Sequence, residues 1–287
     1  MEVDSQLPGA PALPMGGFGS LHPDSVDDVP IQIRNIDGLG PVKAEFQTAP
    51  FALARGVFFQ GTSTGQRNII LTLGLNPNFA VGQTIGALRQ QVYRYFMPEL
   101  GVTLTFFSPD IPDENAQIRS AYVESVEPNI FSQDPEMQVS IICPLPDFVG
   151  SDEHIIGPND AADYITEVEY TGSVSNGFNY LEVHSTDVNY AGSIEVTNVN
   201  GPFNQDLAVN GIFISPDQFL RLITVPTRRR VQLVDEATGD LIRSAMASMY
   251  KGSSWPVFLP GTNQLTVKAD YVGPQWTLSY FNRYGGL

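Results

Sequence analysis

From residue 29 onward the chain is written in short runs of alternating apolar and polar residues, each closed by glycine, proline, asparagine or aspartate. A repeat of two places successive side chains on opposite faces of a strand, and runs this short leave no room for a helix of ordinary length. Residues 101–108, 118–126 and 137–143 read this way in the first half of the chain. In the second half the same pattern recurs at 167–174, 179–187, 193–198, 207–214, 219–225, 231–235, 241–245, 264–271 and 275–282. Leu265, Val267 and Ala269 alternate with Thr266, Lys268 and Asp270, which predicts a strand with one buried and one wet face. Many short antiparallel strands with regular turns restrict the fold to a sandwich or a barrel.

Two turns look like hairpins. Residues 55–60 and 68–73 flank Gly61 to Gly65, so the spacing predicts one hairpin with its loop at 61–65. Asp235 to Gly239 is expected to close another. One segment departs from the β pattern. Thr84 can cap a helix running to about Phe96, whose apolar stripe would be Ile85, Leu88, Val92 and Tyr95, and Pro98 ends it.

At 287 residues the chain suits two domains. Residues 1–26, rich in glycine and proline without periodicity, are expected to form a flexible arm. Residues 27–149 would make the first domain, 150–164 an acidic linker full of breakers, and 165–287 the second domain.

Composition then excludes several functions. There are 31 acidic and 15 basic residues, a net charge of −16, divided as −9 (7 basic, 16 acidic) up to Gly150 and −7 (8 basic, 15 acidic) after it. Nucleic-acid binding requires lysine and arginine to displace phosphate counterions, so neither half suits it. Cys143 is the sole cysteine, which rules out an intrachain disulfide and a thiolate metal cluster and favours folding in a reducing cytoplasm. The first 20 residues lack the basic start and apolar core of a signal peptide, and no apolar run reaches 18 residues. Charged residues make up only 16%, against about 25% in average soluble domains, so part of the surface is expected to be covered by other copies or partners.

Residues suited to catalysis are sparse. His22 lies in the arm and His154 in the linker. His184 has Ser185 and Asp187 beside it, but neighbours on a strand point to opposite faces, so a solvent-facing histidine is expected rather than a triad. Acidic pairs such as Asp27-Asp28, Asp113-Glu114, Asp152-Glu153 and Asp235-Glu236 fall in turns, and Asp110 to Glu114 lacks calcium-loop spacing. No nucleophile elbow, zinc-binding helix motif or phosphate loop is present. No catalytic, cofactor or metal residue is therefore assigned. Arg228, Arg229 and Arg230 form the one basic run, suited either to guarding a strand edge or to pairing with an acidic neighbour. Trp255 and Trp276 suit packing or sugar stacking, and Pro260 with Gly261 predicts a tight turn near Asn263.

The order of these elements resembles the distal tail proteins of long, flexible-tailed bacteriophages. The strand at 31–38, the hairpin bearing Phe58, Phe59 and Ile69, the helix at 85–96 and the strand ending Ile141, Ile142, Cys143 carry the resemblance in the first half. Trp255, the turn Leu259 to Asn263 and the final strand ending Tyr280 to Gly285 carry it in the second. The resemblance implies a mainly β protein, with an N-terminal split β-barrel bearing one α-helix and a C-terminal galectin-like β-sandwich. It also implies a structural, non-enzymatic component of the virion tail tip, assembled in the host cytoplasm without membrane insertion. Its form would be a homo-hexameric ring meeting the tail tube protein on one side and the tail hub or tail-associated protein on the other, with the tape measure protein as a further neighbour. DNA would pass through the lumen without specific binding. Phe58, Phe59, Ile69 and the three arginines are the expected subunit contacts. The competing expectation is a lectin-like sandwich for host attachment, with Trp255 or Trp276 stacking on a sugar.

Overall fold

The computed structural model describes residues 2–5, 13–14, 30–51, 55–107, 115–129, 134–185, 189–271 and 273–287. It divides into two compact units, 1–149 with 284–287, and 150–283.

In the first unit the strands are β1 (Glu2–Ser5), β2 (Leu13–Pro14), β3 (Ile31–Asp37), β4 (Ala44–Pro50), β5 (Val57–Thr64), β6 (Arg67–Leu75), β7 (Gly101–Phe106), β8 (Ala116–Asn129) and β9 (Glu136–Cys143), with β10 (Phe148–Gly150) beside β8. Seven of them form a curled half-barrel in the order β2-β1-β7-β8-β9-β6-β3. Alternation gives the sheet one buried face: Ile69, Leu71 and Leu73 of β6 and Val139 and Ile141 of β9 are fully buried on it. The helix α1 (Ile85–Tyr95) lays Leu88, Val92 and Tyr95 onto that core, as its stripe predicts. Thr84 Oγ1 accepts the Ala87 amide at 3.1 Å and caps it. Thr84→Ala is expected to lower stability by about 1 kcal/mol, read as a drop in the urea midpoint without a change in slope.

Two expectations change here. The arm is not wholly irregular, because β1 pairs antiparallel with β7 (Val3 opposite Leu104) and β2 pairs with β1. Strands this short give no readable period. The remainder of the arm, with His22, lies outside the described residues, as does the Asp27-Asp28 pair that follows it. The hairpin expected from 55 to 73 does not form either. Strand β5 runs through the expected loop to Thr64 and pairs with β4, whereas β6 pairs with β3 and β9. The half-buried alternation of β6 gains most inside the large sheet, and β5 carries no such pattern.

Arg67, at the start of β6, is 2% exposed and fixes this unit from within. Its guanidinium donates to the carbonyls of Gly38 (2.6 Å), Gly40 (2.7 Å), Pro146 (2.5 Å) and Gly285 (2.6 Å), and lies 4.4 Å from the Phe148 ring centre. The last residues of the chain therefore belong to the first unit, and the Leu287 amide donates to Leu39.

The second unit holds β11 (His154–Asp160), β12 (Thr166–Tyr170), β13 (Asn176–Gly177), β14 (Tyr180–Ser185), β15 (Tyr190–Asn200), β16 (Phe203–Ile214), β17 (Gln218–Ile223), β18 (Arg230–Asp235), β19 (Leu241–Ser244), β20 (Val257–Phe258), β21 (Gly261–Ala269) and β22 (Pro274–Tyr280). One sheet runs β11-β22-β14-β17-β18-β19 and the other β12-β21-β15-β16. Leu181, Val183, Leu220, Leu222, Trp276 and Leu278 from the first meet Val196, Leu207, Val209, Leu265 and Val267 from the second in one core. That is a β-sandwich. The segment 150–164 is not a free linker, since β11 pairs with β22 (Ile155 opposite Ser279) as an edge strand. The register breaks between Ile156 and Asn159, so the glycine and proline that look like linker residues mark an edge bulge.

Candidate assembly surface

The hairpin β4–β5 forms a two-stranded sheet of its own. Phe46 lies opposite Thr62, Thr48 opposite Phe59 and Ala49 opposite Phe58. Gln60 is the extra residue of a bulge facing Gln47 and Thr48. Phe46 and Phe59 therefore share one face, with ring centres 6.4 Å apart, and Phe58 occupies the other. Phe46 is 68% exposed and Val57, Phe58 and Phe59 between 55% and 58%. Isolated two-stranded hairpins are marginally stable in water, and this one shows apolar side chains on both faces. Residues 46–66 contain a single charge, Arg55, in a chain whose net charge is −16.

Ile69 does not join this surface. It is fully buried in the first core, because it is the inward member of the β6 alternation, so its role is packing rather than contact. The three arginines are all exposed. Arg228 donates to Asn179 Oδ1 at 3.2 Å, Arg229 lies 5.7 Å from the Trp255 ring centre, and Arg230 opens β18 opposite Ile223.

The turn before β21 is built on Gly261, whose φ of 92° suits a residue without a Cβ. Asn263, fully buried, donates to the carbonyls of Leu259 (2.7 Å) and Gly261 (2.8 Å), and its Oδ1 accepts from Leu259 N (3.1 Å) and Asn198 Nδ2 (3.2 Å). Pro260 sits at the corner and offers its carbonyl to Asn200. Trp276 is 1% exposed within the sandwich core, and Trp255 packs on the edge of the same core. Burial leaves the Trp276 ring no open face for a sugar, and the Arg229 guanidinium stands over the Trp255 ring.

His184 and Ser185 point to opposite sides of β14, the second buried at 3%. The imidazole is not bare to solvent, since it stacks on Phe219 at 4.8 Å and has Glu182 and Glu236 beside it. Asp187 lies outside the described residues, as does the acidic run from Asp110 to Glu114. Among the described residues no three histidine, cysteine, aspartate or glutamate side chains converge on a metal-sized site. Burial pushes the Cys143 thiol up to about 11, against the pull of the Arg67 guanidinium, so it is a protonated core side chain and not a nucleophile. No helix among the described residues is long and apolar enough to cross a membrane.

No protein-family model and no curated protein matches the chain. Among solved structures, the Dit (gp 19.1) protein of phage SPP1, described as a paradigm of the hub adsorption apparatus in phages infecting Gram-positive bacteria, aligns with a TM-score of 0.58 at 15% identity. The alignment covers 88% of this chain and 93% of that one. A chain of the phage p2 baseplate in its activated conformation aligns at 0.43 with 7% identity over 97% of each. The chain shares its fold with the SPP1 Dit protein, a fold of the kind that the resemblance in the sequence implies.

Proposed function

We propose that this chain is a structural subunit of a phage tail tip, and that six copies close a ring joining the tail tube to the distal hub. The observation that carries this reading is the β4–β5 hairpin, with apolar side chains on both faces and almost no charge. A ring needs one surface of each copy to meet a different surface of the next until the rotation closes. A nearly neutral apolar ribbon lets copies that each carry −16 meet where their mutual repulsion is least. Covering it would remove aromatic surface from water and supply partners to two sheet edges at once. The likeness of fold to the SPP1 Dit protein, described as a paradigm of a hub adsorption apparatus, supports placement at the tail tip. The tube protein, the hub and the tape measure protein are the neighbours this reading expects. The first unit carries −9 (7 basic, 16 acidic), which favours DNA transit through a lumen without adhesion. The function is assembly, without a reaction.

The test replaces Phe58 and Phe59 together by aspartate. Both side chains are more than half exposed, so circular dichroism and the unfolding midpoint are expected to stay near those of the parent. Self-association, measured by light scattering over a concentration series, is expected to weaken by roughly a hundredfold. Unaltered association in a folded double variant would remove the hairpin from the interface. The lectin reading rests on tryptophans that the geometry gives to packing.

A further inference from the structure

The outer face of the six-stranded sheet carries a charge cluster that plays no part in the assembly surface proposed above. Two adjacent cross-strand rows cover it. Thr277, Glu182, Arg221 and Gln232 lie side by side on β22, β14, β17 and β18, and Gln275, His184, Phe219 and Val234 form the next row. Arg221 donates to Glu182 Oε1 from both Nε (2.7 Å) and Nη2 (2.6 Å), which occupies its cation. His184 rests its ring on Phe219, itself only 5% exposed. Its Nδ1 lies 2.9 Å from Glu236 Oε2, and its Nε2 lies 3.8 Å from Glu182 Oε2. Glu236 belongs to the turn between β18 and β19, 52 residues away in sequence.

We propose that His184 is a proton-operated clasp that holds the β18–β19 turn against this sheet face through Glu236. The charge balance sets its direction. Glu182 and Glu236 carry two negative charges against the single guanidinium of Arg221, and an imidazolium makes the group neutral. A neutral imidazole leaves a net negative charge in a half-buried place, and Glu236 then loses its charged partner on the sheet.

Among the described residues, the other elements packed around the ring supply no competing cation. Gln275 and Thr277 on β22 are neutral, and Asp160 on β11 is held by Gln275 Nε2 at 3.1 Å. Before β17, the Asp217 carboxylate accepts from Ser215, and its backbone carbonyl accepts the Glu236 amide at 2.8 Å. Asp235 Oδ1 caps its own turn through the amides of Ala237 and Thr238. Arg230 and Arg243 sit in other rows, opposite Ile223 and Leu233.

Electrostatics point the same way. Glu182, then Glu236, raise the His184 pKa above its ordinary value despite the opposing cost of burial. The Glu182 carboxyl is held low by His184 and Arg221 although burial pushes it up. A histidine raised on folding contributes stability fully below its unfolded value and loses it as pH rises through the folded one. A carboxylate held low contributes above its unfolded value and loses it as pH falls through the folded one. The clasp is therefore closed in the window between the two.

Nuclear magnetic resonance of the whole chain tests this, with the His184 ring signal identified by its loss in His184→Gln. His184 is expected to titrate above the ordinary histidine value. Amide protection factors in residues 236–244 are expected to fall at least tenfold as pH rises through that titration. In Glu236→Gln, whose side chain is half exposed, the His184 midpoint should drop and the tenfold change should vanish. A His184 midpoint at or below the ordinary value, or protection that stays constant across the titration, would overturn the clasp.

Discussion

Arg67→Met is expected to destabilise the first unit by about 4 kcal/mol, because four carbonyls would lose a charged donor inside a packed core. The wild-type guanidinium joins Gly38, Gly40, Pro146 and Gly285, which lie in segments far apart in sequence. Methionine preserves much of the stem volume and the contact with Phe148, so the loss isolates the hydrogen bonds. Cys143 supplies a selective probe, since it is the sole cysteine and is buried in this unit. Where opening limits labelling, a 4 kcal/mol loss corresponds to a roughly thousandfold faster thiol reaction under native conditions. Both tryptophans lie in the second unit, so their fluorescence midpoint is expected to remain unchanged. Slow labelling in a folded Arg67→Met protein would show that the carbonyls find other partners.

Asn263→Ala should be nearly as costly, at about 3 kcal/mol, and should act on the second unit instead. The side chain makes two donations and accepts two, three of these bonds within the turn that leads into β21 and the fourth from Asn198 on β15. Alanine leaves Leu259 N and the carbonyls of Leu259 and Gly261 without these partners in a place that water does not reach. Asn263→Asp keeps the acceptor but loses both donations and buries a carboxylate, so it should be at least as damaging. Tryptophan fluorescence during urea unfolding reads both variants, and Cys143 labelling should not change.

Much of this architecture is legible in the residues. The alternation Leu265, Val267, Ala269 gives an inward face that is buried from 0% to 8%, and the stripe Leu88, Val92, Tyr95 gives the helix and its orientation. Both signals are local, depending only on neighbours within one element. Pairing is not local. Gly61 and Gly65 look like a loop between two strands, yet β5 continues through Gly61 and pairs backwards with β4. Nothing in a period of two says which strand lies alongside, so Ile69, expected at a subunit contact, packs into the first core instead. The breakers around Gly157 and Pro158 look the same in a linker as in the bulge of an edge strand.

Arg67 was invisible to the sequence for a related reason. A lone arginine before an apolar run reads as a solvated strand end, and its four acceptors are main-chain atoms that leave no compositional trace. His184 and Glu236 are likewise joined only by the sheet, although the expectation that His184 and Ser185 face apart follows from alternation alone. Phe58 and Phe59 are the opposite case. Two consecutive aromatics cannot both face one core from a single strand, and in the structure neither is buried.

Electron microscopy of the purified full-length chain addresses the assembly most directly. Annular particles of six subunits, lost when Phe58 and Phe59 become aspartate, are the predicted images. Fields of isolated, folded single copies, persisting at high concentration and after tail tube and hub proteins are added, would contradict the account.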